Sequence, residues 1–180
     1  MIALFLVLLA ALLFAQAWYF LGLYADSRTF GFIAAALAVG LAASVGGSFE
    51  SVIISKDSVV PLVAFRGFAI LWAVYGAAVA AHALWGFEER AIGFHSLFLW
   101  AASMLYLVGF TAVFDQVEVS NNAAIVLGGS SLVLSIISAM VFFHLAIPFR
   151  ELRAVAGWFL LVGSIFVAAL GMTVFFGILV

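Results

Sequence analysis

The sequence contains no cysteine, two prolines and few charged residues, and each scarcity excludes a class of protein. Without cysteine the chain cannot form disulfides, thiolate metal sites or iron–sulfur clusters, and it has no cysteine nucleophile. Charged residues make up 8% of the chain, against about 25% in ordinary soluble domains. Six Lys and Arg face eight Asp and Glu, so the chain lacks the basic surface that binding to nucleic acid requires.

Long hydrophobic runs dominate the chain, with 69% hydrophobic residues and a mean hydropathy of +1.40. A helix needs about 20 mostly apolar residues to cross a membrane, and short polar breaks divide the chain into six such runs. We expect an all-α integral membrane bundle formed by residues 1–180 as a single domain. The first run lacks a basic start and is predicted to be a retained helix rather than a signal peptide. The predicted spans are 2–24, 30–54, 62–85, 92–114, 123–147 and 154–179.

The positions of the basic residues predict the orientation, because Lys and Arg accumulate in cytoplasmic loops. The first, third and fifth breaks carry Arg28, Arg90, Arg150 and Arg153, whereas the second carries only Lys56 and the fourth none. We therefore expect a multi-pass protein of the cell (cytoplasmic) membrane with both termini on the outer face.

Two opposite charges, Glu50 and Arg66, are predicted at similar depth near the outer face, late in the second span and early in the third. Ionisable residues within a span are costly and are functional candidates for that reason. Two interpretations stay open: an interfacial ion pair that fixes one hairpin, and a charged vestibule at a pore mouth. We favour the hairpin bridge, because partly exposed ion pairs are weak signals.

Three histidines, His82, His95 and His144, are predicted to share the inner membrane face. A metal or bis-histidine haem site is one hypothesis, since imidazole is a common ligand, with Glu88, Glu89 or Glu151 as hydrogen-bond acceptors. A pH sensor is another, because imidazole titrates near neutrality. The simpler interpretation, interfacial histidines bonded to loops, is the one we adopt, with no metal and no cofactor expected.

Motifs for catalysis are missing from the sequence. It has no glycine-rich phosphate loop, no H-E-x-x-H motif and no Ser-His-Asp arrangement at helical spacing. We therefore do not expect an enzyme. Aromatic residues predicted to lie deep in the spans, together with the serines of the fifth span, supply polar groups that could line a narrow path: Trp72, Tyr75, Trp100, Tyr106, Ser131, Ser135 and Ser138.

Residues 86–98, Gly-Phe-Glu-Glu-Arg-Ala-Ile-Gly-Phe-His-Ser-Leu-Phe, resemble the third loop and the start of helix four in the family of acid-gated urea channels and acetamide-permease-like proteins. Further similarity lies in 21–23, Leu-Gly-Leu, in 147–148, Ile-Pro, and in 157–158, Gly-Trp. The positions that match the family pattern are Gly86, Glu88, Gly93, Ser96, Leu97 and Phe98.

The resemblance implies a six-helix protomer with its own pore, assembled into a homo-oligomeric ring that is usually hexameric. The implied activity is passive conduction of a small uncharged amide such as urea or acetamide. The sequence departs from the urea channels in helix six, where Gly163-Ser164 and Leu170-Gly171 replace a Glu-Gly and an Ile-Pro pair. The urea-binding glutamate and the histidine-rich outer loop are missing, so urea selectivity and acid gating are not implied.

A channel or facilitator for a small uncharged solute is therefore the leading prediction, with the lipid bilayer, the solute and further copies of the chain as partners. An acetate/succinate-type channel is an alternative, although its Asn-Pro-Ala-Pro-type entrance motif is not found here. A different class stays open as well: a non-enzymatic accessory or scaffold subunit of a larger membrane complex, with or without haem or pigment held by the histidines.

Overall fold

A computed structural model describes residues 2–23, 26–46, 59–116, 121–147 and 152–178, and all regular secondary structure in these ranges is helical. The number and type of elements predicted from the sequence are confirmed. The six helices are α1 (Ile2–Leu21), α2 (Ser27–Gly46), α3 (Val59–Trp85), α4 (Glu89–Gln116), α5 (Asn121–Leu145) and α6 (Leu152–Phe175).

Each helix is long and apolar enough to cross a membrane. The shortest, α1 and α2, contain 20 residues, which is about 30 Å at 1.5 Å per residue and matches a hydrocarbon core. The helix ends differ from the predicted ones by a few residues. α1 ends early because Gly22 adopts a φ of 71°, a left-handed conformation that terminates helices. α4 begins earlier than predicted, at Glu89, because an acidic side chain is favourable in the first turn of a helix.

The helices form a ring in chain order, and the ring closes where α6 packs against α1. The most extensive packing joins three pairs of helices: α2 with α3, α4 with α5, and α6 with α1. Neighbouring helices in the ring run in opposite directions, since residues near the start of one contact residues near the end of the next. We call the end where α1, α3 and α5 finish the histidine end, because His82 and His144 lie there, and the other the opposite end.

Glycines on the even-numbered helices allow these pairs to approach closely. A Cβ atom at Gly31 would lie 2.7 Å from Leu84, one at Gly93 would lie 2.6 Å from the backbone nitrogen of Ala146, and one at Gly157 would lie 2.8 Å from Leu21. Small residues permit such contacts in lipid, where no hydrophobic force drives helices together. The three glycines recur at nearly equal intervals along the chain, so the ring consists of three similar antiparallel pairs.

One helical turn before each of these glycines stands a polar residue that faces the end of the neighbouring helix. The Ser27 hydroxyl donates to the carbonyl of Ala83 at 2.8 Å. Arg153 donates from Nε to the Phe20 carbonyl at 2.9 Å and from Nη2 to the Tyr19 carbonyl at 3.2 Å. Both residues cap carbonyls that the last turn of a helix leaves without intrahelical partners. The third, Glu89, is a carboxylate and contacts the His82 imidazole on α3 instead.

Asp26 fixes the start of α2 as its N-cap residue. Its Oδ2 accepts a hydrogen bond from the backbone N–H of Thr29 at 3.0 Å and from the Thr29 hydroxyl at 3.1 Å. Side-chain acceptors at this position satisfy the free N–H groups of the first turn. The Thr29 N–H holds the pKa of this exposed carboxyl below its usual value, so Asp26 is ionised at neutral pH.

Replacing Gly93 by Ala should weaken the pairing of α4 with α5, because the added Cβ would overlap backbone atoms of Ala146. Overpacking of this kind costs about 1–3 kcal/mol. The matched control is Gly109→Ala on the same helix, where an added Cβ meets no atom within 4 Å and helix propensity gains about 1 kcal/mol. Thermal unfolding in detergent should rank the variants in that order, and equal melting temperatures would contradict the packing assignment.

Arg153→Met should loosen the closure between α6 and α1, since it removes both hydrogen bonds to the end of α1. Each bond contributes about 1 kcal/mol net. Arg90→Met removes the same charge from the start of α4 and serves as the control. A lower melting temperature for Arg153→Met alone is expected, whereas the same decrease in both variants would indicate a general effect of charge.

Candidate functional site

A cavity of about 540 Å³ opens at the histidine end and forms a vestibule between the ends of four helices, α1, α4, α5 and α6. It is the most polar of the described cavities, since a carboxylate, a guanidinium, an imidazole and a phenol share its wall with two apolar side chains. The lining residues are Tyr19, Phe20, Glu89, His144, Leu145 and Arg153. The vestibule can therefore hold water and small polar solutes.

A second cavity, of about 20 Å³, continues the vestibule into the bundle. Tyr19, Phe20, Glu89 and Leu145 line both cavities, and Gln16 lines only the inner one. A volume of this size holds about one water molecule. The two cavities together form a funnel that narrows from the histidine end toward Gln16.

His82 lies on the wall of the inner cavity and is held in place by two contacts. Its Nδ1–H donates to the carbonyl of Phe87, and its Nε2 lies 3.4 Å from the carboxylate of Glu89. These contacts link the end of α3 to the start of α4. The side chain of Glu89 is well exposed, so this contact orients the imidazole more than it adds stability.

Beyond the inner cavity, Gln16 of α1 and Tyr75 of α3 face each other across the bundle. The Tyr75 hydroxyl lies 2.7 Å from Nε2 and 2.9 Å from Oε1 of Gln16, so one carboxamide both donates to and accepts from one phenol. Both side chains are nearly inaccessible, with 1% exposed for Gln16 and 2% for Tyr75. A buried amide costs free energy unless its polar atoms are paired, and this pairing satisfies both residues.

Aromatic and polar side chains surround Tyr75 on its other sides. The Trp72 ring lies 5.5 Å from that of Tyr75, and the His95 ring stacks on it at 6.4 Å. The Ser96 hydroxyl also lies beside that of Tyr75. We call these residues the polar column: Gln16, Trp72, Tyr75, His95 and Ser96.

Several polar atoms of the bundle interior have no partner within the described part of the chain. These buried atoms are the indole Nε1 of Trp72, Nε2 of His95, and the hydroxyls of Ser103 and Ser131. Buried polar groups in proteins are usually hydrogen-bonded to protein or to ordered water. Their hydrogen-bonding capacity is therefore available to water or to a solute inside the bundle.

The other buried serines donate their hydroxyl hydrogen to a carbonyl of the preceding turn, as Ser96 does to Ile92 at 2.8 Å. Ser135 and Ser138 of α5 donate in the same way to Leu132 and Leu134. A hydroxyl has one donor hydrogen and two acceptor lone pairs. These serines are therefore left as acceptors, which suits a partner rich in N–H groups.

Aromatic rings fill the bundle at the opposite end. Phe68 is central, with ring centroids 6.1 Å from Phe5, 4.8 Å from Tyr106 and 6.1 Å from Phe110. Phe65 lies 5.3 Å from Phe5. The Trp72 ring lies 6.5 Å from Phe68 and joins this aromatic cluster to the polar column.

The structure brings together only part of the set predicted as a lining. Trp72, Tyr75 and Ser131 are buried inside the bundle, and Tyr106 borders the aromatic cluster. Trp100 lies on the periphery with 39% of its surface exposed, so the lining proposed below excludes it.

The three predicted histidines divide between two levels. His82 and His144 border the two cavities of the funnel, and the His144 ring packs edge-on against Phe20 at 5.0 Å. His95 lies deeper, against Tyr75. Among the described residues, no group of three or more His, Asp or Glu side chains is placed to hold a metal ion.

The motif residues of 86–98 also separate by position. Gly86 ends α3 with a φ of 71°, Gly93 packs on α5, and Ser96 joins the polar column. Glu88, Leu97 and Phe98 lie on the exposed surface. Of the predicted outer ion pair, Arg66 is described on α3, whereas Glu50 lies outside the described residues.

Gln16 is a site residue that the sequence analysis missed. It is the only amide side chain in α1, a 20-residue helix without charged residues, and this isolation was the available signal.

Another cavity, of about 640 Å³, opens on the outer side of α2 and α3 and is lined by Ala, Val, Ile and Leu with Trp85. Its wall offers little for recognising a polar solute, so the funnel and the polar column are the candidate site.

Neither the family models, nor the curated proteins, nor the solved structures contain a match to this chain. The similarity of residues 86–98 to the urea and amide channels therefore stays a prediction, and the functional assignment depends on the geometry of the funnel and the polar column.

Proposed function

We propose that the chain is a membrane channel or facilitator for a small uncharged solute of the urea or short-chain amide type, conducting passively along the axis of each protomer. The observation that carries the proposal is the polar column at the base of the funnel, inside a bundle that is otherwise apolar. Buried groups with spare hydrogen-bonding capacity are what a solute needs when it leaves water.

An uncharged solute fits the interior better than an ion does. Among the described residues, the buried polar side chains are Gln16 and a set of serines, with no Asp, Glu, Lys or Arg. An ion entering this interior would lose its hydration without gaining a counter-charge, which costs several kcal/mol. An amide would lose only hydrogen bonds that the protein can replace.

The chemistry of the lining matches an amide in particular. Serines whose hydroxyl hydrogen is already used, such as Ser96, Ser135 and Ser138, can accept hydrogen bonds from the N–H groups of a solute. The Trp72 N–H can donate to the solute carbonyl, because it has no partner in the described part of the chain. A solute with several N–H donors and one carbonyl acceptor is complementary to this set.

On this proposal, aromatic side chains close the path near the opposite end. There the solute would have to pass Phe68 and Tyr106, whose rings lie 4.8 Å apart. Rotamer changes of these two aromatic side chains would open this route. We place the narrowest part of the path between the polar column and this aromatic cluster.

Placement in the membrane follows the charge distribution. Arg28, Arg90 and Arg153 belong to the histidine end, so the positive-inside rule puts the vestibule in the cytoplasm and both termini outside, with the cytoplasmic membrane as the location. We also propose a homo-oligomer, hexameric by resemblance to the urea channels. Large apolar side chains exposed along α6, such as Trp158 and Phe166, are available for contacts with lipid or with further copies.

Proteoliposomes containing the protein should take up urea, acetamide or formamide faster than protein-free vesicles, while acetate should not be accelerated. The expected difference comes from the absence of buried charge described above. Stopped-flow light scattering measures the rates. Equal rates for all solutes in vesicles with and without protein would overturn the proposal, and a Soret or visible absorption band would favour the pigment-binding subunit instead.

Trp72→Phe should lower the amide permeability by about threefold to tenfold, because it removes a buried N–H that has no partner in the described part of the chain while it keeps an aromatic ring. Trp100→Phe is the matched control, since Trp100 lies on the periphery of the same bundle. Unchanged permeability in Trp72→Phe, or the same decrease in both variants, would remove Trp72 from the lining.

A further inference from the structure

The Gln16 side chain ends in a primary carboxamide, the same functional group as the solute proposed above. It is bound by the Tyr75 hydroxyl through contacts of 2.7 Å and 2.9 Å to its nitrogen and oxygen. The phenol therefore already holds an amide that belongs to the protein. It uses both its donor and one acceptor site on that group.

The contact between Gln16 and Tyr75 lies across the route by which a solute would enter from the vestibule. Gln16 lines the cavity of about 20 Å³ at the inner end of the funnel, and Tyr75 lies behind it in contact with Trp72 and His95. The cavity holds about one water molecule and is too small for an amide while the Gln16 side chain stays in place. A solute from the vestibule thus meets the carboxamide before it meets the phenol.

We propose that Gln16 is a built-in competitor for the solute, a latch whose carboxamide occupies the hydrogen-bonding position on Tyr75 and must be exchanged for the amide of the solute during passage. This inference rests on the proposed function, which it deepens. Exchange replaces one amide–phenol pair by another of the same chemistry, so it leaves no buried polar atom unpaired on Tyr75.

The strength of the latch suits this role. Hydrogen bonds between membrane helices are weak, and losing one changes an equilibrium by about threefold to tenfold. A solute at moderate concentration can compete with such a bond. The alternative for the same geometry is a bond that only holds α1 and α3 together. In that case, removing the Gln16 carboxamide would not raise the permeability to urea relative to glycerol.

The test compares the permeability to urea, relative to glycerol, of Gln16→Met and Tyr75→Phe with that of the unmodified chain in proteoliposomes. Gln16→Met keeps the length of the side chain and removes the carboxamide, so the phenol becomes free for the solute. We expect the ratio of urea to glycerol permeability to rise by about threefold to tenfold. Tyr75→Phe removes the binding group together with the latch, and the ratio should fall below that of the unmodified chain.

Gln16→Asn is the second variant in case Gln16→Met does not assemble, since it keeps the amide but shortens its reach by one methylene. It should raise the ratio in the same direction. A ratio in both Gln16 variants at or below that of the unmodified chain, with urea flux above protein-free vesicles, would overturn the latch while the channel stands. Urea flux at the level of protein-free vesicles in the unmodified chain and in all variants would overturn the channel itself.

Discussion

Pairing of polar groups inside an apolar bundle is the constraint on which the rest of the structure depends. A buried amide or hydroxyl without a partner costs free energy, and a bundle of spanning helices has little water to provide one. Here Gln16 and Tyr75 satisfy each other across the bundle, and most buried serines bond to their own helix. The buried atoms without a partner in the described part of the chain, on Trp72, His95, Ser103 and Ser131, lie next to that pair or deeper in the bundle. The proposed function depends on this contrast between polar groups that have partners and those that have none in the described part of the chain.

The ring of helices provides the frame for the polar column. Three similar antiparallel pairs pack through Gly31, Gly93 and Gly157, and side chains one turn earlier tie two of them to the ends of their neighbours. The residue at the third position is Glu89, which accepts hydrogen bonds where Ser27 and Arg153 donate them, and it faces the vestibule. The departure from the repeat thus coincides with the mouth of the funnel.

Much of the fold was predictable from the sequence, because hydrophobic runs of about 20 residues separated by short polar breaks allow few other structures. The ends of the helices were less predictable, since caps such as Gly22 depend on a single backbone conformation. The candidate site was predicted only in part. Trp72 and Tyr75 were identified as deep aromatic residues. The outward position of Trp100 and the pairing of Gln16 with Tyr75 were not predicted, because both depend on how each helix is rotated about its axis. Nearly uniform apolar helices carry no sequence pattern that indicates this rotation.

Accessibility of the polar column to water is the central claim, and the absence of native cysteine allows a direct measurement of it. Ser96→Cys places a thiol beside Tyr75, Leu145→Cys places one in the vestibule, and Ile165→Cys places one on the exposed outer surface of α6. Each is treated in membranes with a small, water-soluble methanethiosulfonate. The account predicts that Leu145→Cys and Ser96→Cys react, that acetamide slows only the reaction of Ser96→Cys, and that Ile165→Cys stays unmodified. A Ser96→Cys thiol that stays unmodified while the vestibule thiol reacts would contradict a wettable path through the bundle.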